Sequence, residues 1–423
     1  MLTLKTIIEN KEEVINRLAK KHFDGREYIE KVIESDVTRR NTQTSLDNYL
    51  SEMNNISKTV GALMKEGKKE EAEKAKSQVS EIKEISKKLE EKKAEAEKKI
   101  TEILLLIPNL PHASVPEGRV AEDNKIEKTG GTIPVLPDNA LPHWELAKKY
   151  SLIDFELGVK ITGAGFPVYT GYGARLQRAL IDFFLDSARE AGYLEIQPPY
   201  VINADSGYGT GQLPDKEGQM YHCTIDDLYL IPTAEVPVTN IYRDVILEKS
   251  ALPIKNAAYS ACFRREAGSY GKDVRGLNRL HQFDKVEIVR IDTPEHSYES
   301  LQEMVDYVQS LVEKLELPWR ILRLCGGDMS FTSALTFDFE VFSAAQKRWL
   351  EVSSVSNFEN YQANRLKCRY RDENKKMQLC HTLNGSALAL PRIVAALLEN
   401  NQTPDGIRIP KALVPYTRFE LIK

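Results

Sequence analysis

Residues 261–293, ACFRREAGSYGKDVRGLNRLHQFDKVEIVRIDT, predict two β-strands joined by a glycine-rich polar turn. In the second limb, Phe283, Lys285 and Glu287 alternate with Val286 and Ile288, which is the two-residue period of a strand. We therefore expect an antiparallel hairpin, and no other part of the chain carries as many chemically active side chains.

Charged side chains dominate this predicted hairpin. Five cations lie in or beside the turn: Arg264, Arg265, Lys272, Arg275 and Arg279. A guanidinium on a rigid strand suits phosphate oxygens, because its planar fork of donors needs little reorganisation as charge develops. Two acids, Glu266 and Glu287, suit an ammonium or hydroxyl group bound beside a phosphate. A solvated surface hairpin with paired charges explains the same composition equally well.

The bulk composition indicates a globular chain with more than one domain. Its 423 residues are 42% hydrophobic and 28% charged, with a net charge of −4, so any RNA contact must come from local patches. The N-terminal residues do not predict a signal peptide, and no apolar run is long enough to span a membrane, so we expect a cytoplasmic protein. The five scattered cysteines predict neither a disulfide framework nor a zinc site.

The region from about residue 30 to 104 predicts two long helices joined by a turn at Gly67. Apolar residues recur every seven positions in the first helix, in two adjacent rows: Leu46, Met53 and Val60, and Tyr49, Ile56 and Leu63. The rows of the second helix are Ala75, Ile82, Leu89, Ala96 and Ile103, and Ala72, Val79, Ser86, Lys93 and Ile100. We expect an antiparallel coiled-coil hairpin of roughly 50 Å, with a weaker second seam. Its balanced Lys and Glu faces also suit a spacer or a dimerisation rod.

A proline-rich stretch, residues 107–142, separates this hairpin from the rest of the chain. Because proline cannot continue a helix, we place the domain boundary here, with a helical domain at 1–106 and a catalytic domain at 107–423.

The sequence of the predicted central hairpin resembles motif 2 of the class II aminoacyl-tRNA synthetases. Phe263-Arg264-x-Glu266 is followed by a glycine-bearing loop and then by residues 279–283, RLHQF, and the whole stretch is similar to the seryl-tRNA synthetase family in particular. Thr233 and Glu235 are predicted to lie on a short apolar strand, where either side chain could simply cap a following helix. Residues 233–238, TAEVPV, resemble the amino-acid-binding segment of that family.

Two further stretches resemble the flanking motifs of class II enzymes. The helix ending before Gly192, with the strand that follows, resembles motif 1, which builds the dimer interface. Residues 381–400, HTLNGSALALPRIVAALLEN, resemble motif 3, whose arginine here is Arg392. Ala387 and Pro391 stand where glycine is common in the family, although proline suits a first helical turn.

The resemblance implies a set of site residues. Serine is expected at Thr233, Ala234, Glu235, Glu287, Asn384 and Ser386. ATP is expected at Arg264, Arg265, Glu266, Arg279, Phe283, Glu351, Val352, Ser353, Ser354 and Arg392, with Arg264, Glu266, Arg279 and Arg392 catalytic. Mg²⁺ is expected at Glu351 and Ser354, whose hard oxygens suit it, although from the residues alone Glu351 could be an ordinary strand end.

The fold and reaction are also implied by the resemblance. We expect an α+β, mainly antiparallel sheet flanked by helices, with the N-terminal coiled-coil hairpin gripping tRNA(Ser). The implied reaction is serine activation with ATP and transfer of serine to the 3′ end of the tRNA in a homodimer, with tRNA(Sec) left open as a second substrate. The alternatives are an enzyme that aminoacylates a carrier protein, which would lack the long arm, and a catalytically silent relative.

Overall fold

The computed structural model describes residues 1–215, 217–266 and 275–423. The described chain forms two compact units, one of Met1–Ala19 with Phe23–Pro108 and the other of Lys20–His22 with Asn109–Lys423. The predicted cation Lys272 and the glycines at 268 and 271 lie outside the described residues.

The N-terminal unit consists of helices, two short and two long. They are α1 Leu4–Glu9, α2 Lys11–Ala19, α3 Arg26–Lys65 and α4 Lys69–Leu104. The 40 residues of α3 give a rod of about 60 Å, somewhat longer than expected. Gly67, with a φ of 77°, lies in the short turn between α3 and α4, so the predicted helical hairpin is confirmed.

The predicted seam positions of α3 and α4 are covered to different degrees. On α4 six of the predicted seam positions are buried, Ala72, Ala75, Ile82, Ser86, Ala96 and Ile100, whereas Val79, Leu89, Lys93 and Ile103 are partly exposed. On α3, Leu46 is buried, whereas Met53, Ile56 and Val60 remain partly exposed. Small side chains are easily covered but bury little apolar area, so the weaker second seam stays a prediction.

The C-terminal unit is built on an eight-stranded sheet of the described residues, in the order β1-β11-β12-β13-β16-β10-β9-β4. These strands are β1 Lys125–Gly130, β4 Leu194–Glu195, β9 Ile254–Phe263, β10 Gln282–Asp292, β11 Trp319–Arg323, β12 Leu335–Ser343, β13 Arg348–Asn357 and β16 His381–Ala389. Every neighbouring pair is antiparallel except β4 with β9, so the predicted α+β, mainly antiparallel architecture is confirmed.

Short strands and helices surround this sheet. The strands are β2 Ile153–Asp154, β3 Val168–Tyr169, β5 Val201–Ile202, β6 His222–Cys223, β7 Leu228–Leu230, β8 Ile246–Glu248, β14 Arg369–Arg371, β15 Met377–Leu379, β17 Gln402–Thr403, β18 Gly406–Arg408 and β19 Leu421–Ile422. The helices are α5 His143–Lys149, α6 Phe155–Ile161, α7 Gly171–Glu190, α8 Ala204–Thr210, α9 Glu235–Asn240, α10 Ser297–Lys314, α11 Tyr361–Leu366, α12 Leu390–Asn400 and α13 Val414–Thr417. No helix in the described part of the chain is long and apolar enough to cross a bilayer.

The central hairpin is confirmed as the antiparallel pair β9 and β10, in register from Phe263 opposite Gln282 to Ile254 opposite Ile291. Val286 and Ile288 face the main apolar core, which also takes in side chains of α7, α10 and α12. Lys285 and Glu287 point to the other face, yet they are only 5% and 2% exposed. The alternative of a solvated surface hairpin is therefore wrong for the described part of β10, because these two charged side chains are buried together with Thr233.

Candidate active site

A polar cavity of about 610 Å³ lies over the face of the sheet to which Lys285 and Glu287 point. Most of the residues that the sequence predicts for serine and ATP line it: Thr233, Glu235, Arg264, Glu266, Arg279, Phe283, Glu287, Glu351, Val352, Ser353, Ser354, Asn384, Ser386 and Arg392. Ala234 is fully buried in a separate apolar cluster. Arg265 places its guanidinium 5.6 Å from the ring of Tyr221, and neither residue is among those lining the cavity.

One end of the cavity holds a buried hydrogen-bond network around Thr233. Its hydroxyl donates to Glu287 Oε2 at 3.2 Å and accepts a hydrogen bond from Lys285 Nζ at 3.0 Å. Lys285 also forms an ion pair with Glu287 Oε2. The hydroxyl of Thr233 therefore both donates and accepts a hydrogen bond. The positive charge of Lys285 offsets the desolvation cost of the buried Glu287 carboxylate.

The sequence predicted a strand for the Thr-Ala-Glu segment, and this prediction is wrong. Thr233 precedes helix α9, which begins at Glu235, and the backbone N–H of Glu235 donates to Thr233 Oγ1 at 3.2 Å. Thr233 thus serves the helix start and the cavity together. A short apolar run is ambiguous between strand and helix, which is why the pattern alone misassigned it.

Glu235 is a buried acid that the structure leaves without a cationic partner of its own. Gln362 Nε2 donates to Glu235 Oε1 at 2.7 Å. Burial, and then the nearby Glu287 carboxylate, raise the pKa of Glu235 to about 7. The network lacks one positive charge among its described side chains, and a ligand ammonium group would supply it. Lys285 and Gln362 were not predicted as site residues, because nothing in their local sequence marks them.

Two arginines, Arg264 and Arg279, line the same cavity. The Arg264 guanidinium lies 5.3 Å from the centre of the Phe283 ring, and its Nε donates to the carbonyl of Pro232 at 3.4 Å. Arg279 forms an ion pair with Glu266 at 3.1 Å. Two guanidinium groups held in this way are preorganised donors for a polyanionic ligand.

Arg392, at the start of α12, also lines the cavity. Its Nη1 donates to the backbone carbonyl of Glu351 at 2.7 Å, and its Nε donates to the carbonyl of Asn278 at 3.0 Å. Pro391 lies in the first turn of α12, where its fixed φ is compatible with the helix. Phe283 and Arg392 therefore both reach the cavity, as a ligand ring between them requires.

The donors near Glu351 fit a hard divalent cation that also binds phosphates. Within the described ranges, no three His, Cys, Asp or Glu side chains are grouped to hold a metal. The Glu351 side chain is 51% exposed, and Ser354 donates to Asp338 Oδ1. Burial, and then Glu351, raise the pKa of Asp338, so negative charge is crowded here. One or two protein oxygens completed by substrate phosphates is the usual arrangement for Mg²⁺.

Comparison with known proteins agrees with this geometry. The sequence-family model of the tRNA synthetase class II core domain (G, H, P, S and T) matches residues 221–401. This match defines the C-terminal unit as a class II synthetase core. The model of the seryl-tRNA synthetase N-terminal domain matches residues 1–111. The chain belongs to the seryl-tRNA synthetase family.

Relatives that match over their full length are serine–tRNA ligases. A serine–tRNA ligase of Salinibacter ruber is 53% identical over all of this chain and 99% of its own length, and one of Akkermansia muciniphila is 47% identical over the same shares. The crystal structure of seryl-tRNA synthetase from Pyrococcus horikoshii complexed with ATP superposes with a TM-score of 0.93 at 33% identity, covering 100% of this chain and 99% of that one.

Proposed function

We propose that the protein activates L-serine with ATP to seryl-adenylate and transfers serine to the 3′ end of tRNA(Ser). The observation that carries this proposal is the arrangement of one cavity. Buried acids suited to an ammonium and a hydroxyl, Glu235 and Glu287, lie at one end, and preorganised arginines lie beside them. A small hydroxy amino acid and a nucleoside triphosphate fit these two groups of side chains.

In the proposed activation step, a carboxylate oxygen of serine attacks the α-phosphorus of ATP. The bond from that phosphorus to the bridging oxygen breaks, and pyrophosphate leaves with the electron pair. Arg264 binds the serine carboxylate and the α-phosphate, and Arg279 binds the γ-phosphate end. Catalysis then comes mainly from positioning and from charge neutralisation on side chains that are already held in place.

We propose that Glu287 selects serine over alanine. Among the described residues, the side-chain contacts of Glu287 to Thr233 and Lys285 are made at Oε2. Oε1 then accepts the hydrogen bond of the serine hydroxyl. With alanine, this buried acceptor would stay unpaired, and a loss of this kind gives strong discrimination against an analogue that lacks the group.

The nucleotide and the cation complete the proposed site. The adenine ring lies between Phe283 and Arg392. Glu351 and Ser354 would hold Mg²⁺, which would supply positive charge to neutralise the phosphates. Glu266 holds Arg279 through the observed ion pair.

The partners of the proposed enzyme follow from the family. The α3–α4 hairpin binds tRNA(Ser), the helix and strand around Gly192 build a homodimer interface, and the chain acts in the cytoplasm. Whether tRNA(Sec) is also charged is a question for a direct aminoacylation assay with that tRNA.

Serine-dependent ATP–pyrophosphate exchange tests the proposal. Arg264→Ala should reduce exchange by about 10²- to 10³-fold, because it removes a preorganised donor to developing charge. Arg320→Ala is the matched control, since Arg320 pairs with Glu340 on the same sheet and does not line the cavity. A folded Arg264→Ala protein with normal exchange would contradict the assignment.

A further inference from the structure

A fully buried histidine–glutamate pair lies behind the nucleotide end of the cavity. His143 begins α5 and Glu399 is near the end of α12, and both are 0% exposed. Glu399 Oε1 accepts hydrogen bonds from the backbone N–H of His143 at 2.9 Å and from His143 Nδ1 at 2.7 Å. Neither residue lines the cavity, and the proposed reaction does not use them directly.

The second ring nitrogen of His143 accepts a hydrogen bond from the backbone segment that leads into β10. The backbone N–H of Leu277 donates to His143 Nε2 at 2.8 Å. Because a backbone N–H can only donate, Nε2 carries no proton, so the proton lies on Nδ1 and points to Glu399. Gly276 allows this approach, since a Cβ there would lie 2.2 Å from Nε2.

The hydrogen bonds beyond Leu277 lead back to α12. Arg392 Nε donates to the carbonyl of Asn278 at 3.0 Å, and Arg392 is seven residues before Glu399, on the same face of the helix. A parallel route passes from Asn278 Nδ2 to Gln346 at 3.0 Å and from Gln346 to Glu399 Oε1 at 3.0 Å. These hydrogen bonds form a closed loop. Glu399 of α12 binds His143, His143 binds the backbone of Leu277, and the next residue, Asn278, binds Arg392 of α12.

The charge of Glu399 is consistent with this arrangement. Burial by itself would raise the pKa of Glu399, but hydrogen bonds from the side chain and backbone of His143 and from Ser343 hold it below its ordinary value. The buried carboxylate is therefore ionised and binds the imidazole firmly in one orientation.

We propose that His143 is a positioning residue for ATP: through its hydrogen bond to Leu277 it fixes the backbone that carries Arg279 and orients Arg392. This inference rests on the proposed placement of ATP between Phe283 and Arg392. The described contacts of His143 do not reach Thr233, Glu235 or Glu287, so serine binding does not depend on it.

The two ring nitrogens allow the positioning role to be separated from a purely structural one. His143→Asn keeps a polar group near Nδ1 for Glu399 but is too short to accept from Leu277. His143→Gln keeps an acceptor near Nε2 for Leu277 but gives up the direct contact of Nδ1 with Glu399. If His143 positions the ATP site, His143→Asn should weaken ATP binding more than His143→Gln does. If His143 only supports Glu399, His143→Gln should be the more damaging variant.

Exchange kinetics on the full-length protein, with ATP and serine varied separately, measure this difference. His143→Asn should raise KM for ATP by about 10- to 100-fold through misplacement of the arginines. Its KM for serine should stay within about twofold, and the Gln variant should keep KM for ATP close to that of the wild type. An Asn variant with normal KM for ATP, or a Gln variant that is the worse of the two, overturns the inference.

Two controls keep the test interpretable. His222→Asn alters a histidine that pairs with Asp227 at 2.9 Å on the surface, and it should change neither KM. Arg392→Ala tests the placement of ATP itself. If Arg392→Ala leaves KM for ATP normal, the proposed function is wrong in this respect; if it raises KM while His143→Asn does not, only the positioning role fails. Thermal melting of each variant shows whether a kinetic change accompanies loss of the fold.

Discussion

At the scale of single residues, Glu235 gives the proposed site a pH dependence. Its pKa of about 7 means that the carboxylate loses its charge as the pH falls through neutrality, so it no longer balances the ammonium of serine. KM for serine should rise by up to about tenfold per pH unit below 7 and level off above it. Glu235→Gln should abolish this slope and bind serine weakly at every pH. A KM that is constant from pH 6 to 8 would contradict this role.

The same shift has a consequence for stability. The folded pKa lies above the ordinary 4.5, so the folded state holds a proton that the unfolded chain releases, and stability falls as the pH rises from about 4.5 to about 7. Above that window Glu235→Gln should be more stable than the wild type, by up to about 3 kcal/mol. Urea unfolding at pH 8 and at pH 4.5 measures the difference, which should vanish at the lower pH.

Residues of the site were predictable from the sequence where a motif fixes which way a side chain points. Arg264 and Glu287 reach the cavity as expected, whereas the adjacent Arg265 does not, because successive residues of extended chain point to opposite sides. Lys285 and His143 were not predicted to have a role, since their importance depends on partners more than 50 residues away in the chain.

At the scale of elements, the helical hairpin offers a matched pair of isoleucines. Ile82 is 6% exposed in the seam of α4, whereas Ile85 is 39% exposed on the same helix. Ile82→Ala should destabilise the hairpin by about 2 kcal/mol or more, and Ile85→Ala by much less. Hydrogen exchange of the α3 and α4 amides in the full-length protein should show faster opening for Ile82→Ala alone. Equal exchange in the two variants would mean that the seam does not hold the helices together.

The elements themselves were predicted best where a period was long. The α3–α4 heptads and the alternation on β10 gave the right element types, and Gly67 marked the turn between the helices. The segment at 233–238 was assigned wrongly, because its apolar run is short and its helix of six residues is stabilised by the surrounding unit. Burial along the α3–α4 seam depends on facing side chains, which a single row of heptads does not report.

At the scale of the whole molecule, the chain divides the proposed functions between its two units. Every residue that lines the cavity belongs to the C-terminal unit, whose fold resembles the core of other class II enzymes. The N-terminal unit contributes a rod of about 60 Å, which is long enough to hold a large nucleic acid.

The central claim is that the C-terminal unit activates serine by itself while the hairpin serves the tRNA. The test is to shorten the hairpin symmetrically about Gly67, keeping the layers of Leu46, Met53, Leu89 and Ala96, and to measure two activities on the same preparation. Serine-dependent ATP–pyrophosphate exchange should stay close to that of the full-length protein. Charging of tRNA(Ser) should fall sharply, with a shallower dependence of tRNA affinity on salt, because fewer phosphates are contacted. Unchanged charging with an unchanged salt slope would show that the hairpin is a spacer, and would contradict this division of labour.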